Sequence, residues 1–246
     1  MSRLDNKVAF VTGGSRGIGA AIALKLAEDG ADIALTYTSS VEKAEAVVNS
    51  IEALGRKAIA IKADNLDAAA VEAAVQEAHA RFGRLDILVN SAGVFSVDQI
   101  ETASLAEFDR VMSIHVRASF VASKAAAALM SAGGRIVSIG SNLGERVPFT
   151  GLSIYATSKA ALTGLTKALA RDLGPKEITV NIVQPGSTDT DMNPADGDHA
   201  DAQRALMAIP RFGRAQDIAG VVAFLSGDEG RFITGASLTV DGGTNI

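Results

Sequence analysis

Two rhythms alternate along the chain. Short apolar runs recur at Lys7–Thr12, Asp32–Tyr37, Lys57–Lys62, Ile87–Val89, Arg135–Gly140, Thr179–Val183 and Ser237–Val240. Runs that are apolar on both faces suit strands of a parallel sheet covered on both sides. Between them the apolar positions recur every three or four residues, which predicts helices. The first runs from Ala20 to Asp29 and closes at Gly30. A capping box of Ser39 and Glu42 opens a second, which runs to Leu54 and ends at Gly55. Asp67 caps a third, lasting to Phe82. A second capping box, Ser104 with Glu107, opens a fourth that continues, bent or broken, to Ala132. Two more cover Tyr155–Leu173 and Asp217–Leu225. The second half of the fourth helix, Ala118 to Ala132, is rich in small residues, which serve internal packing or a subunit contact equally well. Strands and helices in this order imply βαβ crossovers and a parallel α/β sheet. Ligands of such sheets bind at the carboxyl ends of the strands.

The chain's polar breaks fall at that edge. The first strand runs straight into Gly13-Gly14-Ser15-Arg16-Gly17-Ile18-Gly19 and then a helix. A glycine turn between strand and helix offers backbone N–H groups and a positive helix end to a phosphate. Its G-x-x-x-G-x-G spacing differs from the G-x-G-x-x-G dinucleotide fingerprint. Asp64 and Asn65 end the third strand, and Asn90-Ser91-Ala92-Gly93 ends the fourth. Ser187–Ala202 is one long polar stretch where a lid over a site would lie. Its Asp189, Asp191, Asp196, Asp198 and Asp201 lack convergent ligand spacing and read as a solvated loop.

Tyr155 and Lys159 stand one helical turn apart, so they share a face. A phenol titrates near ~10, and a nearby ammonium favours its phenolate. Ser141, just past the fifth strand, brings a hydroxyl toward the same place. Together these groups polarise a carbonyl and hand it a proton. Taken alone, Tyr-x-x-x-Lys reads first as a surface pair, since so short a motif recurs by chance, and it is the rest of the chain that reverses this. Ser138 should point to the strand face opposite its neighbours, and His79 reads as a surface residue.

Composition narrows the field. With 48% hydrophobic and 21% charged residues the chain has ample material for a buried core, and no linker or repeat interrupts it. One domain over 1–246 is the economical count. The net charge of -5, with no Lys/Arg cluster, disfavours nucleic acid or an anionic membrane as partner. No cysteine is present, and the three histidines lack metal-ligand spacing, so no metal site is expected. Met1–Lys7 has no apolar leader core and no run reaches the ~18 residues of a membrane span, so a cytoplasmic location is expected.

In order along the chain, Thr12-Gly13-x-x-x-Gly17-x-Gly19, Asn90-Ser91-Ala92-Gly93, Ser141, Tyr155-x-x-x-Lys159, Pro185-Gly186 with Thr190, and Val240-Asp241-Gly242-Gly243 resemble the short-chain dehydrogenase/reductase family. The likeness spans essentially the whole chain and is nearest in flavour to single-domain 3-oxoacyl-carrier-protein reductases. It implies a doubly wound Rossmann-type fold, with a seven-stranded parallel sheet and helices on both faces. It implies hydride transfer between NADP(H) and a small carbonyl or alcohol substrate. Tyr155 is then the acid/base, Lys159 holds the nicotinamide ribose and Ser141 binds the substrate oxygen. The turn residues Gly13, Ser15, Arg16, Gly17, Ile18 and Gly19 hold the cofactor's phosphates. Asp64 and Asn65 lie near the adenine, Asn90, Ala92 and Gly93 line the cleft, and Pro185, Gly186, Thr188 and Thr190 meet the nicotinamide end. A homotetramer is implied as well.

NADP(H) is expected over NAD(H). No carboxylate stands at the tip of the second strand, where Tyr37, Thr38, Ser39 and Ser40 offer hydroxyls and Arg16 offers a cation for a 2′-phosphate. His115 departs from the family, which carries Asn there to help hold a relay water. Two readings stand: an imidazole that holds that water until acid charges it, or a histidine packed in its helix. For the chain as a whole the alternative is a nucleotide-binding regulator on the same fold, with weak reductase activity or none.

Overall fold

The protein is described by a computed structural model covering residues 3–246; Met1 and Ser2 of the leader reading lie outside the described residues. The apolar runs become β1 (Val8–Thr12), β2 (Asp32–Tyr37), β3 (Ala58–Lys62), β4 (Ile87–Asn90), β5 (Arg135–Ile139), β6 (Thr179–Pro185) and, after two short strands, β9 (Ser237–Val240). β7 (Thr188–Asp189) and β8 (Gly213–Arg214) form a small parallel pair of their own. The main sheet has seven strands in the order β3-β2-β1-β4-β5-β6-β9, and every pairing is parallel.

Strand residues alternate between two apolar layers, as the pleat dictates. Ala9, Val11, Ile33 and Leu35 face α1 (Gly17–Glu28), α2 (Val41–Ala53) and α8 (Ala215–Ser226). Phe10, Ala34, Leu88 and Ile136 face α3 (Ala68–Phe82), α5 (Ala118–Leu129) and α6 (Ser153–Leu173). The sheet is thus covered on both sides, as its doubly apolar strands require. Among the described residues no helix is long and apolar enough to cross a membrane.

Several boundaries moved for identifiable reasons. α1 opens at Gly17 rather than Ala20, so the glycine turn supplies the helix's own first turn. The Ser39–Glu42 capping box does not form: Ser40 is the N-cap, without a side-chain bond, and Ser39 is one residue too early to reach the helix amides. Ser104 does cap α4 (Leu105–Met112), accepting from Glu107 N at 3.1 Å. The Glu107 carboxylate grips Arg110 at 2.6 and 2.8 Å instead of turning back to Ser104. Asp67 caps α3 as expected, accepting from Ala69 and Ala70.

The predicted bend before Ala132 is a π-helical turn, Ser113–Arg117, between α4 and α5. Its carbonyls take side-chain donors: Asn65 Nδ2 bonds Ile114 O at 3.1 Å and Ser119 Oγ bonds His115 O at 2.6 Å. The polar stretch after Ser187 is not one loop. It carries β7, a bridge between Thr190 and Asn193, and α7 (Ala200–Arg204), which packs Ala200 against Met207 and Phe212. Asn193 and Gln203 exchange reciprocal amide bonds at 3.0 Å that hold it together.

Candidate active site

The carboxyl ends of β1 and β4 meet where the strand order reverses, with Thr12 paired to Asn90. The Thr12 hydroxyl accepts from Ser91 N and Ala92 N at 2.9 and 3.1 Å, locking the two loops together. Gly13, at φ +64°, lies so close to the fourth-strand loop that a Cβ there would stand 2.8 Å from Ala92 Cα. At Gly19 a Cβ would run into the Gly13 carbonyl. The turn therefore folds tightly onto the start of α1. Arg16, the N-cap, makes no side-chain cap bond, and no acidic residue occupies the first turn. The helix N-terminus thus keeps its backbone donors and positive end for an anion, which is the fit a dinucleotide's phosphates require.

At the far end of this turn Tyr37 closes β2, with Thr38 and Ser39 exposed beside it. Lys43 of α2 reaches across to Asp191 at 2.7 Å. That hydrogen bond, with the Lys43 charge and a contribution from the Arg16 charge, holds the Asp191 carboxyl below its ordinary range. The acidic stretch is therefore not simply solvated. Asp201 pairs with Arg204 at 2.7 Å, and Asp189 accepts from Ala195 N at 3.0 Å.

Ser141, two residues past β5, is in extended backbone and caps the short turn Asn142–Gly144, its Oγ accepting from Leu143 N at 3.2 Å. Tyr155 stands in the first turn of α6. Burial pushes its phenol up, and a hydrogen bond with the Ser141 side chain opposes that rise. Lys159 is 6% exposed, and burial alone lowers its ammonium to about 8. Its Nζ donates to Ile139 O at 3.2 Å and stands 5.7 Å from the Tyr155 ring centroid. The cofactor-free site thus keeps Tyr155 protonated, the state a proton donor needs.

The π-helical turn aims His115 into this cluster, 1% exposed, with its ring 5.8 Å from the Tyr155 ring. Val94 N donates to Nε2 at 2.9 Å, so the neutral ring carries its proton on Nδ1. Nδ1 donates to Ser158 Oγ at 2.8 Å, and that hydroxyl donates to Tyr155 O at 2.7 Å. Both ring nitrogens are engaged by the protein, and neither is left for a water. Burial, then the Lys159 charge, lowers the His115 pKa to about 2. A proton on Nε2 would also deprive the Val94 N–H of its acceptor.

A family model described as Enoyl-(Acyl carrier protein) reductase matches residues 13–245. The chain belongs to the short-chain dehydrogenase/reductase family. A short-chain dehydrogenase of Burkholderia cenocepacia J2315, solved in complex with NADP, is 61% identical at a TM-score of 0.98, over 99% of this chain and 100% of that one. A blue fluorescent protein from a metagenomic library, solved with NADPH, is 53% identical at a TM-score of 0.98, again over 99% and 100%. The cyclic-di-GMP-binding biofilm dispersal mediator protein of Escherichia coli K12 is 42% identical over 98% of each chain.

For a short-chain dehydrogenase/reductase, most of the residues expected at the site do converge. Gly93 backs onto both His115 and Lys159, Gly17 meets the Thr190 methyl group, and Gly186 lies against Asp241. Thr188 is buried and bonds Gly186 O at 3.0 Å. Others are turned to structural work. The Asn90 amide is buried against Ser123 and Ser138, at 3.3 Å from each hydroxyl. That contact confirms Ser138 on the face away from its neighbours. Asp64 caps Leu66 N at 2.9 Å, and Asn65 anchors the π-helical turn. Sequence reading missed Phe95, whose ring meets Tyr155 edge-on at 4.9 Å, and Lys43. Nor did it tie Ser158 to His115, whose ring it meets at 2.8 Å.

Proposed function

We propose that this chain reduces a carbonyl compound with NADPH, or oxidises the matching alcohol with NADP, through Ser141, Tyr155 and Lys159. The observation that carries the reading is the buried Lys159, its Nζ 5.7 Å from the Tyr155 ring on one face of α6, with the Ser141 side chain placed to oppose the rise of that phenol. In reduction the Ser141 hydroxyl donates a hydrogen bond to the substrate oxygen and aligns it. Tyr155 gives that oxygen its phenolic proton. The Lys159 ammonium, on the same helical face, stabilises the phenolate that remains. Bound NADPH supplies the hydride. Arg16 and Lys43 are the cations for a 2′-phosphate, and the NADP and NADPH carried by the two structural relatives support that choice. Phe95 beside the phenol, with exposed Val97, Val147 and Phe149, suits an uncharged apolar carbonyl, whether a small ketone or the acyl end of a 3-oxoacyl thioester.

The test is NADPH oxidation over a carbonyl panel by wild type and Tyr155→Phe. Turnover retained in full by the variant sinks the assignment. We also infer one cytoplasmic domain assembled as a homotetramer, supported by the apolar Leu105, Phe108 and Phe120 exposed on α4 and α5; light scattering that returns a monomer refutes the assembly.

The Escherichia coli relative, a cyclic-di-GMP-binding protein, favours one second reading, a nucleotide-responsive regulator on this scaffold. Calorimetry with cyclic-di-GMP and NADPH separates the two. Tight binding of the former, without turnover across the panel, selects the regulator.

A further inference from the structure

One fully buried polar side chain has no part in the chemistry above. Gln184 lies in β6 at 0% exposure. Its Oε1 accepts the Ser141 N–H at 2.7 Å. That donor is a backbone amide, so the orientation of the side-chain amide is fixed, with oxygen toward Ser141 and nitrogen away. Nε2 donates to Thr163 Oγ1 at 3.0 Å and to Ser237 Oγ at 3.3 Å. The Ser237 hydroxyl in turn donates to Glu145 Oε1 at 3.1 Å, back at the turn that follows Ser141. Thr163 stands one turn beyond Lys159 and two beyond Tyr155, so all three share one face of α6. Gly140 lets the amide in, because a Cβ there would occupy the place of Gln184 Oε1.

One amide therefore holds the chain just past β5, at Ser141, with its oxygen and the catalytic face of α6 with its nitrogen. The hydroxyls of Ser141 and Tyr155 must meet at a single substrate oxygen, and they come from those two elements. We propose that Gln184 is the positioning residue that sets the separation of Ser141 from Tyr155. Its kinetic consequence rests on the reductase reading above; its structural consequence does not. The Ser141 bond is what opposes the rise of the buried Tyr155 phenol, so a Ser141 that drifts leaves that phenol harder to ionise. The titratable groups around Tyr155 are Lys159 on its own helix and His115 on the π-helical turn, and neither bonds Gln184. Glu145 is reached only through Ser237.

The chain has 2 tyrosines, so a Tyr37→Phe background leaves Tyr155 as the sole phenol. Ultraviolet titration of phenolate absorbance then reads Tyr155 directly, without turnover. Gln184→Met keeps the length of the side chain and removes both bonds. It should move the titration upward by about one pH unit, and Thr163→Val should move it the same way by less. In the native background Gln184→Met should lower kcat roughly 10- to 100-fold and leave KM for NADPH within about twofold. An unchanged phenolate titration in a cooperatively melting Gln184→Met protein overturns the proposal. If that variant does not fold, an unchanged titration in Thr163→Val does the same. Absence of any wild-type carbonyl turnover sinks the reductase reading alone, because the titration still decides the strut.

Discussion

His115 should make this protein lose stability in mild acid, and a single substitution should remove the effect. The folded ring takes up a proton only near about 2, against an ordinary value of 6.5 in the unfolded chain. The stability held by the neutral ring is complete above the unfolded value and drains as pH falls below it. The slope is ~1.4 kcal/mol per pH unit, because only the unfolded state gains a proton over that window. At pH ~5 the loss is about 2 kcal/mol, and it keeps growing until the folded ring itself titrates. The ring is almost wholly enclosed, so solvent screening takes little from that figure. His115→Asn should lose about 1–3 kcal/mol at neutral pH through the bonds to Val94 and Ser158. Its stability should nonetheless fall less steeply with acid. Denaturant unfolding of both proteins between about pH 7.5 and about pH 5 isolates the histidine, since all other acid-sensitive groups are shared. Two curves that decline in parallel would refute the reasoning. Any acid limb in kcat within that window must also arise elsewhere, because His115 stays neutral throughout.

Lys159→Met should abolish turnover yet stabilise the cofactor-free protein at pH ~7. Burial depresses the ammonium from 10.5 to about 8, so the folded state carries a cost of up to about 3 kcal/mol below both values, shrinking as pH rises above 8. A Met variant that melts lower than wild type at neutral pH contradicts this. Arg16→Ala should cut kcat/KM for NADPH roughly 10- to 100-fold and spare NADH, the range expected for charge-assisted bonds; an unchanged cofactor ratio removes Arg16 from that role. Gly19→Ala should weaken NADPH binding at least about tenfold by driving the Gly13 carbonyl aside, and calorimetry that finds wild-type affinity would show that the turn adapts. Lys43→Ala should change stability by less than about 1 kcal/mol, since both partners of its ion pair are half exposed, and a larger shift in the melting transition would mark the pair as structural.

What the sequence made legible was whatever repeats locally. Strands buried on both faces write themselves as apolar runs, so β1 to β5 were found nearly to the residue. β6 was cut short at Val183 because Gln184 breaks its run, although a polar residue inside a buried strand is itself a signal that it has partners. Helical spacing and strand ends brought Ser141, Tyr155 and Lys159 together as candidates, but it took the ordered motifs along the rest of the chain to lift them above a chance surface pair. Contacts between distant segments were not. Nothing near Lys43 announces Asp191, and nothing near His115 announces Val94 or Ser158. The π-helical turn was equally hidden, because it is a matter of winding rather than composition.

That turn has a consequence for how the chain tolerates insertion and deletion. One surplus residue per turn rotates everything after it by about 100° relative to an uninterrupted α-helix. α4 buries Val111 and α5 buries Ala118, Ala122, Ala125 and Ala126, two faces set out of phase by the surplus. Removing any one residue of 113–117 would restore regular winding and leave both buried faces where they are, because the lost residue and the lost wide turn cancel. The cost would be local: the aim of His115 at Val94 and the carbonyls that Asn65 and Ser119 bond. Winding all the residues as one straight helix is what would swing a buried face out into water, so the wide turn absorbs a residue that the packing on either side has no room for.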